Sequence, residues 1–514
     1  MTVRVVSALQ AAARDNSAVA AGTPSIELMR RAGIGAARVL RARYDALARR
    51  GVVLFVGPGN NGGDGWVVAG ELAAGGFPVR VAQVGEPRTK DAREARDSAR
   101  AHLAAHRPFD GASDAPGVVV DALLGTGASG DLRADVLEAA RDIEALRRKG
   151  VPVVSLDLPT GLDASTGARA REAVSADVTL SFGTVKRGHL VSRSACGEIV
   201  VIDIGLGAHA DLDDGAPILV DASLVHALLP PIAADAHKGS RRKLLIVGGA
   251  SGMAGAVALA ARAALRSGVG MVRACVDHAS LAPIQSTVVE ATAIPWPSAH
   301  EEIAADVAAW PDAVLAGPGL GAGARPLVER WLAASGAPVV LDADALNAWA
   351  GDASSLGTRI GGRRAVVTPH VAEFARLAGL SVEEVLADRW DAGTALARTL
   401  GCCVLLKGVP TIISGPSGLA FVSAAGTPAL ATAGSGDVLG GIAATLLAQM
   451  ADPLAAAACA AWAHGRAAEI AGAGRPLRGV TLADVLEALP EAWRAPTALR
   501  EEGILSILPA VADA

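Results

Sequence analysis

Glycine, asparagine and aspartate crowd one short stretch, Gly57-Pro58-Gly59-Asn60-Asn61-Gly62-Gly63-Asp64-Gly65, between the apolar run Val52–Val56 and residues 66–72, which read as helix. A loop of this composition lets the backbone approach a ligand closely and leaves the first N–H groups of a helix pointing outward, which suits a phosphate or another anion. The amides of Asn60 and Asn61 add donors, and Asp64 adds a carboxylate. Three later segments carry polar residues where strands should end: Asp121 in Val-Asp-Ala-Leu-Leu-Gly-Thr-Gly, the run Asp157-Leu158-Pro159-Thr160-Gly161-Leu162-Asp163, and Lys186 in Ser-Phe-Gly-Thr-Val-Lys-Arg-Gly. Asp157 and Lys186 offer a carboxylate and an ammonium, the groups that move protons in general acid–base chemistry. The alternative for the two is a buried ion pair that serves the fold alone.

The second half has its own glycine-rich turn, Thr432-Ala433-Gly434-Ser435-Gly436-Asp437-Val438-Leu439-Gly440-Gly441, which opens an alanine-rich helix. Its free N–H groups suit a phosphate, with Asp437 beside it. Four further segments follow apolar runs and are set to converge with it: Gly317-Pro318-Gly319-Leu320-Gly321, Asp342-Ala343-Asp344, Thr368-Pro369-His370-Val371-Ala372-Glu373 and Lys407-Gly408-Val409-Pro410-Thr411. Taken alone, His370 reads as a cap or a core histidine.

These residues must be held by elements, and the hydrophobic pattern supplies them. Residues 26–44 repeat apolar side chains near a 3.6-residue period and predict a helix. Strands are predicted at 52–56, 79–84, 118–121, 151–157, 178–182 and 198–203, with helices between several of them, such as 132–148. Alternation of this kind means crossover connections and a mostly parallel sheet, which collects ligands at the carboxyl ends of its strands. Gly57-Pro58-Gly59-Asn60-Asn61-Gly62 meets the spacing of a dinucleotide fingerprint, but the strand after it ends without the acid that a dinucleotide site requires.

Around residues 205–215 the pattern lapses into Gly-Leu-Gly-Ala-His-Ala-Asp-Leu-Asp-Asp-Gly, which predicts a domain boundary and two domains, 1–215 and 216–514. A second α/β series follows, with strands at 243–247, 272–276, 313–316, 339–342, 365–368 and 403–407 and helices at 439–451 and 453–470. At 514 residues the chain exceeds one ordinary core, and 51% hydrophobic content with only 3% aromatics predicts cores of Ala, Val and Leu. A net charge of −5 with short basic clusters argues against a nucleic-acid partner. Two uncharged runs reach membrane-spanning length, 244–261 and 408–436, yet glycines divide the first and Pro410, Pro416 and Pro428 the second, so no membrane partner is expected. Five cysteines without metal spacing fit a reducing interior, and the start of the chain reads as a short surface helix containing Arg14-Asp15, so a cytoplasmic protein is expected. A homo-oligomer is expected as well.

The doublet Asn60-Asn61 followed by Gly62-Gly63-Asp64, together with the three strand-end segments, resembles the NAD(P)H-hydrate epimerases over residues 1–205. The resemblance implies a Rossmann-like three-layer domain in which Asn61, Asp121 and Thr160 hold a potassium ion, Thr160 standing where the family has serine. It also implies that Asn60, Asn61, Gly62, Gly63, Asp64, the loop Gly125-Thr126-Gly127-Ala128-Ser129-Gly130-Asp131 and Asp157 contact the substrate. Epimerising the hydroxyl-bearing carbon of a hydrated nicotinamide needs proton transfers, for which Asp157 and Lys186 are the candidates.

The five segments of the second half resemble the ribokinase superfamily, and within it the ADP/ATP-dependent NAD(P)H-hydrate dehydratases, over residues 220–490. This implies a ribokinase-like α/β domain with Asp437 as catalytic base and substrate contact. Ala256, Gly319 and His370 then line the hydrate pocket, while Lys407, Gly408, Val409, Pro410, Thr411 and Gly436 hold ADP or ATP with Mg2+. Val371-Ala372 replaces a common Pro-Gly, and Ser240-Arg241-Arg242 alters the loop after His237-Lys238-Gly239. The two resemblances together imply bifunctional repair of hydrated NADH and NADPH, small-molecule work in which one half supplies the epimer that the other dehydrates.

Overall fold

The computed structural model describes residues 2–103, 116–298, 301–495 and 502–511. The chain divides into two compact units, Met1–Leu219 joined by the C-terminal segment that carries Ile504–Leu508, and Val220–Thr497. The split falls a few residues beyond the expected 215, and one element departs from the expected 216–514 domain altogether. Strand Ile504–Leu508 pairs antiparallel with Glu198–Ile202 and so completes the first unit.

The sheet of the first unit runs Ile504–Leu508, Glu198–Ile202, Val178–Phe182, Val153–Leu156, Val118–Ala122, Val52–Val56, Val79–Gln83. All neighbours but the first pair are parallel. Successive residues of a strand face opposite ways, and here both faces are covered. Leu54, Val56, Val118 and Val120 join Ala36, Leu40, Val68 and Leu72, from helices Ser25–Ala48 and Asn60–Ala74, in one core. Val53, Phe55 and Val119 join Val136, Ala139 and Ile143 of helix Ala134–Arg148 in the other. Strands that are apolar throughout follow from burial on both sides.

The glycine-rich stretch differs from its expected form. Helix Asn60–Ala74 starts inside it, so Asn60, Asn61, Gly62, Gly63 and Asp64 are helical residues and not a loop. The glycines serve close approach: a Cβ on Gly62 would lie 1.9 Å from the Gly57 carbonyl oxygen, and one on Gly63 would lie 2.6 Å from the Met29 side chain.

The second unit has strands in the order Thr292–Pro295, Met271–Val276, Lys243–Val247, Ala313–Ala316, Val339–Leu341, Ala365–Val367, Cys403–Leu406, Thr411–Ser414, Ala420–Ser423. Pairing is parallel as far as Cys403–Leu406 and then antiparallel through a hairpin. Helices Ala254–Arg266, Ser435–Gln449 and Pro453–Gly472 stack against one another, and their Ala and Gly side chains permit it: a Cβ on Gly441 would lie 2.1 Å from the Ala260 carbonyl oxygen. On the other face a core closes around Trp349 and Phe374. The uncharged run 244–261 divides into strand Lys243–Val247 and helix Ala254–Arg266, and among the described residues no helix is long and apolar enough to cross a membrane. The five cysteines are free and buried.

Candidate functional site

In the first unit the strand-end residues open onto one cavity of about 890 Å3, lined by Asn60, Asn61, Asp64, residues 125–131, Asp157 and Lys186. Gly62, Gly63, Asp121 and Thr160 are not among the lining residues; they support the wall from behind. Asp157 follows strand Val153–Leu156 and takes φ of 60°, a left-handed conformation that a non-glycine residue adopts under constraint. The constraints are visible. Its N–H donates to the Leu180 carbonyl at 2.8 Å, and its own carbonyl accepts from His189 Nε2 at 2.8 Å. His189 Nδ1 accepts the Lys186 backbone N–H at 3.2 Å, which puts the ring proton on Nε2. Burial first, and then the Lys186 charge, hold His189 well below the usual histidine range, so the ring is neutral.

Lys186 Nζ bonds to Asp157 Oδ1 and also donates to Ser181 Oγ and the Phe182 carbonyl, both at 3.2 Å. A buried ion pair with further donors and acceptors around it is a held geometry at the end of the sheet. Asp64 lines the same cavity, and burial, with Asp157 and Asp15 nearby, pushes its carboxyl well above the ordinary carboxylate range.

Asp121 is wholly buried at the end of Val118–Ala122. Its Oδ1 accepts the Thr160 hydroxyl at 2.7 Å and its Oδ2 accepts Ser155 Oγ at 2.9 Å and the Thr160 N–H at 2.8 Å. Burial raises the Asp121 carboxyl in spite of these bonds. Leu124 ties the set together: its N–H donates to Thr160 Oγ1 at 3.2 Å and its carbonyl accepts from Asn61 Nδ2 at 2.9 Å. Asn61 Oδ1 is buried without a partner among the described residues. An orphaned amide oxygen beside a hydroxyl and one carboxylate is an oxygen donor set of low charge, which fits a hard monovalent cation.

In the second unit five strand ends meet. Asp437 lies in the first turn of helix Ser435–Gln449, entered through Gly434 at φ of 90°. Burial first, and then Asp342 and Asp344 against the opposing charge of Lys407, push the Asp437 carboxyl up to about 7. Lys407 Nζ donates to Asp342 Oδ1 at 2.8 Å and lies 3.6 Å from Glu373. Burial would lower the ammonium, but the two carboxylates outweigh it and raise it. Gly436 leaves room for this pair, since a Cβ there would lie 3.3 Å from Lys407 Nζ. His370 bridges to Lys407 in parallel register and caps helix Val371–Ala378, its Nδ1 accepting from the Ala372 N–H at 3.1 Å. Gly319, at φ of 58°, lies against Ala256: a Cβ on Gly319 would meet the Ala256 Cβ at 3.3 Å. Gly408, Val409, Pro410 and Thr411 form the turn of the antiparallel hairpin, closed by the Thr411 hydroxyl donating to the Gly408 carbonyl at 3.0 Å.

A bifunctional NAD(P)H-hydrate repair enzyme of Salinibacter ruber is 37% identical over 515 residues, covering 91% of this chain and 92% of its own. The chain belongs to the family of bifunctional NAD(P)H-hydrate repair enzymes. The counterpart in Escherichia coli is 34% identical, over 91% of this chain and 89% of its own. A family model described as NAD(P)H-hydrate dehydratase matches residues 244–491, and one described as YjeF-related protein N-terminus matches residues 25–188. Among solved structures, an ADP/ATP-dependent NAD(P)H-hydrate dehydratase of Bacillus subtilis co-crystallised with ATP and Mg2+ is 29% identical and covers 53% of this chain and 96% of its own, with a TM-score of 0.46.

Four residues in or beside the two candidate sites carried no signal in the sequence reading. Asp15 lines the first cavity from helix Ala8–Ala20. His189 buttresses Asp157. His464 is buried 3.3 Å from the Ser435 hydroxyl, with its ring pushed down to about 4 by burial and then by Lys407. Arg389 donates to the Pro410 carbonyl at 3.1 Å, with its Nε buried and unpaired. Each is a single polar residue in an ordinary helical or loop context, and no local spacing marks it.

Proposed function

We propose that the first unit interconverts the R and S hydrates of NADH and NADPH and that the second dehydrates the S hydrate at the expense of ADP or ATP. The single observation that carries this reading is convergence: two unconnected sets of strand-end residues, each belonging to one activity of the family, gather in one site per unit.

In the first unit the substrate's hydrated ring enters the cavity of about 890 Å3, against Asn60, Asn61, Asp64 and the loop 125–131. Asp157, paired with Lys186, moves protons at the hydroxyl-bearing carbon as that centre opens and re-forms. Asn61, Asp121 and Thr160 are the residues that would hold potassium. When bound, the ion supplies positive charge that anchors the start of helix Asn60–Ala74 to the end of strand Val118–Ala122.

In the second unit Asp437 takes the proton of the ring hydroxyl as that oxygen attacks the terminal phosphoryl group of the nucleotide. Phosphate then leaves with the carbon–oxygen bond pair, a proton leaves the adjacent ring carbon to solvent, and the new carbon–carbon double bond restores the reduced nicotinamide. Ala256, Gly319 and His370 line the hydrate, and Lys407–Thr411 with Gly436 hold the nucleotide. The carboxylates that raise Asp437, Asp342 and Asp344, form the negative surroundings that suit Mg2+ arriving with the nucleotide. The decisive experiment follows reduced-nicotinamide absorbance from mixed hydrates with and without ADP, in potassium and in sodium buffers. Complete recovery with ADP and free phosphate as product supports the reading. A stable phosphorylated product would make the second unit a kinase, and equal exchange of R and S in both buffers would remove potassium.

A further inference from the structure

Epimerisation by loss and return of water sets a geometric requirement that the Asp157–Lys186 pair alone does not meet. The hydroxyl-bearing carbon of the hydrated ring is bonded to the ring nitrogen, so the hydroxyl leaves as water from one face and a water returns to the opposite face. One proton-transfer group serves one face. The site therefore needs a second group on another wall of the cavity.

Helix Ala8–Ala20 forms such a wall: Ala11, Ala12, Arg14, Asp15, Asn16 and Val19 line the cavity. The rotation of the helix about its axis is fixed by neighbours of Asp15. Arg14 is wholly buried and grips Asp214 with two bonds, at 2.6 and 3.0 Å, and the Ala210 carbonyl with a third at 3.0 Å. Ser17 Oγ meets His209 Nδ1 at 2.9 Å. The first turn is closed by a capping box between Ser7 and Gln10. The carboxyl of Asp15, at the centre of this locked helix, makes no hydrogen bond or ion pair among the described residues. A carboxyl with no structural partner, facing the cavity from a helix held in one rotation, is available to a substrate.

We propose that Asp15 is the second proton-transfer group of the epimerising site, acting from a different wall than the Asp157–Lys186 pair. The proposal rests on the epimerase reading above. Asp15 gives its proton to the ring hydroxyl, the carbon–oxygen bond breaks, the lone pair of the ring nitrogen forms a carbon–nitrogen double bond, and water leaves. Asp157, held by Lys186, takes a proton from a water that adds to the opposite face and forms the new carbon–oxygen bond. One water departs and one enters. Asp15 ends ionised and Asp157 protonated, the proton returns through solvent in the cavity, and the reverse reaction exchanges the two roles.

The electrostatics of the cavity agree. Asp15 is coupled to Asp64, Asp157 and Lys186 from the cavity side, while on its own helix's other contacts His209 is held by Ser17 and Asp214 by Arg14. Asp15 is exposed to the open cavity, and partial desolvation by the surrounding walls, with Lys186 lowering and Asp157 raising it, pushes its carboxyl up to about 6. A group that keeps its proton so close to neutrality is a competent acid.

The test uses the full chain and mixed hydrates without ADP, so that dehydration is silent, and measures R/S exchange from pH 5 to 9. Asp15→Asn should lower kcat for exchange about 100-fold with KM little changed. It should also remove the limb near pH 6 from the profile and leave ADP-driven dehydration of the S hydrate at the parental rate. Asp15→Glu, which keeps the carboxyl, should recover exchange and the limb. Parental kcat and profile in Asp15→Asn, or an Asp15→Glu protein as slow as Asp15→Asn, overturn the proposal. A parental chain that exchanges the epimers no faster than buffer overturns the epimerase reading itself, and the proposal with it.

Discussion

At the scale of single residues the second site is governed by the electrostatics of Asp437. A carboxyl pushed up to about 7 by burial and by Asp342 and Asp344 is a base only once it has lost its proton. The sign follows directly: the raised value disfavours the carboxylate, so the dehydration rate rises as pH increases through 7 and is lost below it. Asp437→Asn should abolish dehydration and leave R/S exchange intact, because the amide fills the same space without accepting the proton. Dehydration at a near-parental rate in that variant would remove Asp437 from the mechanism. Asp342→Asn should move the limb to lower pH, for it deletes a charge that raises Asp437 and frees Lys407, which lowers it. A limb that stays in place or moves upward, measured by kcat against pH, would contradict this account of the coupling. His370 adds a finding that its sequence context suggested: it is a helix cap, and it reaches the site through its bridge to Lys407.

Among elements, the helix Asn60–Ala74 carries the clearest physical lesson. The sequence of its first turn is so rich in glycine that turn chemistry reads it as a loop, yet the glycines serve packing. Gly62 lets the helix start press onto Gly57, where an added Cβ would fall 1.9 Å from the carbonyl oxygen. Nothing lies within 4 Å of a Cβ on Gly59, whose φ of −91° any residue adopts. Gly62→Ala should therefore destabilise the first unit by about 1–3 kcal/mol or more and displace Asn61 and Asp64, whereas Gly59→Ala should be close to neutral for stability. Thermal unfolding of the two variants tests the contrast, and equal midpoints would show that close approach is not the reason for Gly62. The strands that were predicted, by comparison, were legible to within one or two residues, because each is a short apolar run bounded by glycine, proline or acids, whereas Thr292–Pro295, Thr411–Ser414 and Ala420–Ser423 were not predicted. Residues 79–84 became Val79–Gln83, residues 198–203 became Glu198–Ile202, and residues 403–407 became Cys403–Leu406. The strand-end acids were legible for the same reason. Asp15, His189 and His464 were not, since an isolated polar residue on a helix produces no periodicity and its meaning depends on what the fold brings opposite.

For the whole molecule, Ile504–Leu508 is a missed element of a different kind from the unpredicted strands Thr292–Pro295, Thr411–Ser414 and Ala420–Ser423. Its partner Glu198–Ile202 lies on the far side of the entire second unit in sequence, and no local pattern reports a pairing at that separation. The strand is nevertheless part of the first unit's structure. Ile504 is 8% exposed and belongs to the core with Ile202 and Val200, Leu508 is 6% exposed, and Arg38 donates to the Glu502 carbonyl at 3.4 Å. The first unit is thus completed by chain that follows the second in sequence, while the second is continuous from Val220 to Thr497. A chain ended after residue 495 keeps every described strand of the second unit and removes this edge strand of the first. Burial of two aliphatic side chains accounts for about 3–6 kcal/mol, and the exposed edge of Glu198–Ile202 adds a site for misassociation. The truncated chain should lower the unfolding transition that R/S exchange follows and leave ADP-driven dehydration at its parental rate. Calorimetry with both activities measured on the same sample decides it: an unchanged epimerase and an unchanged transition would mean that the first unit is complete without its last strand.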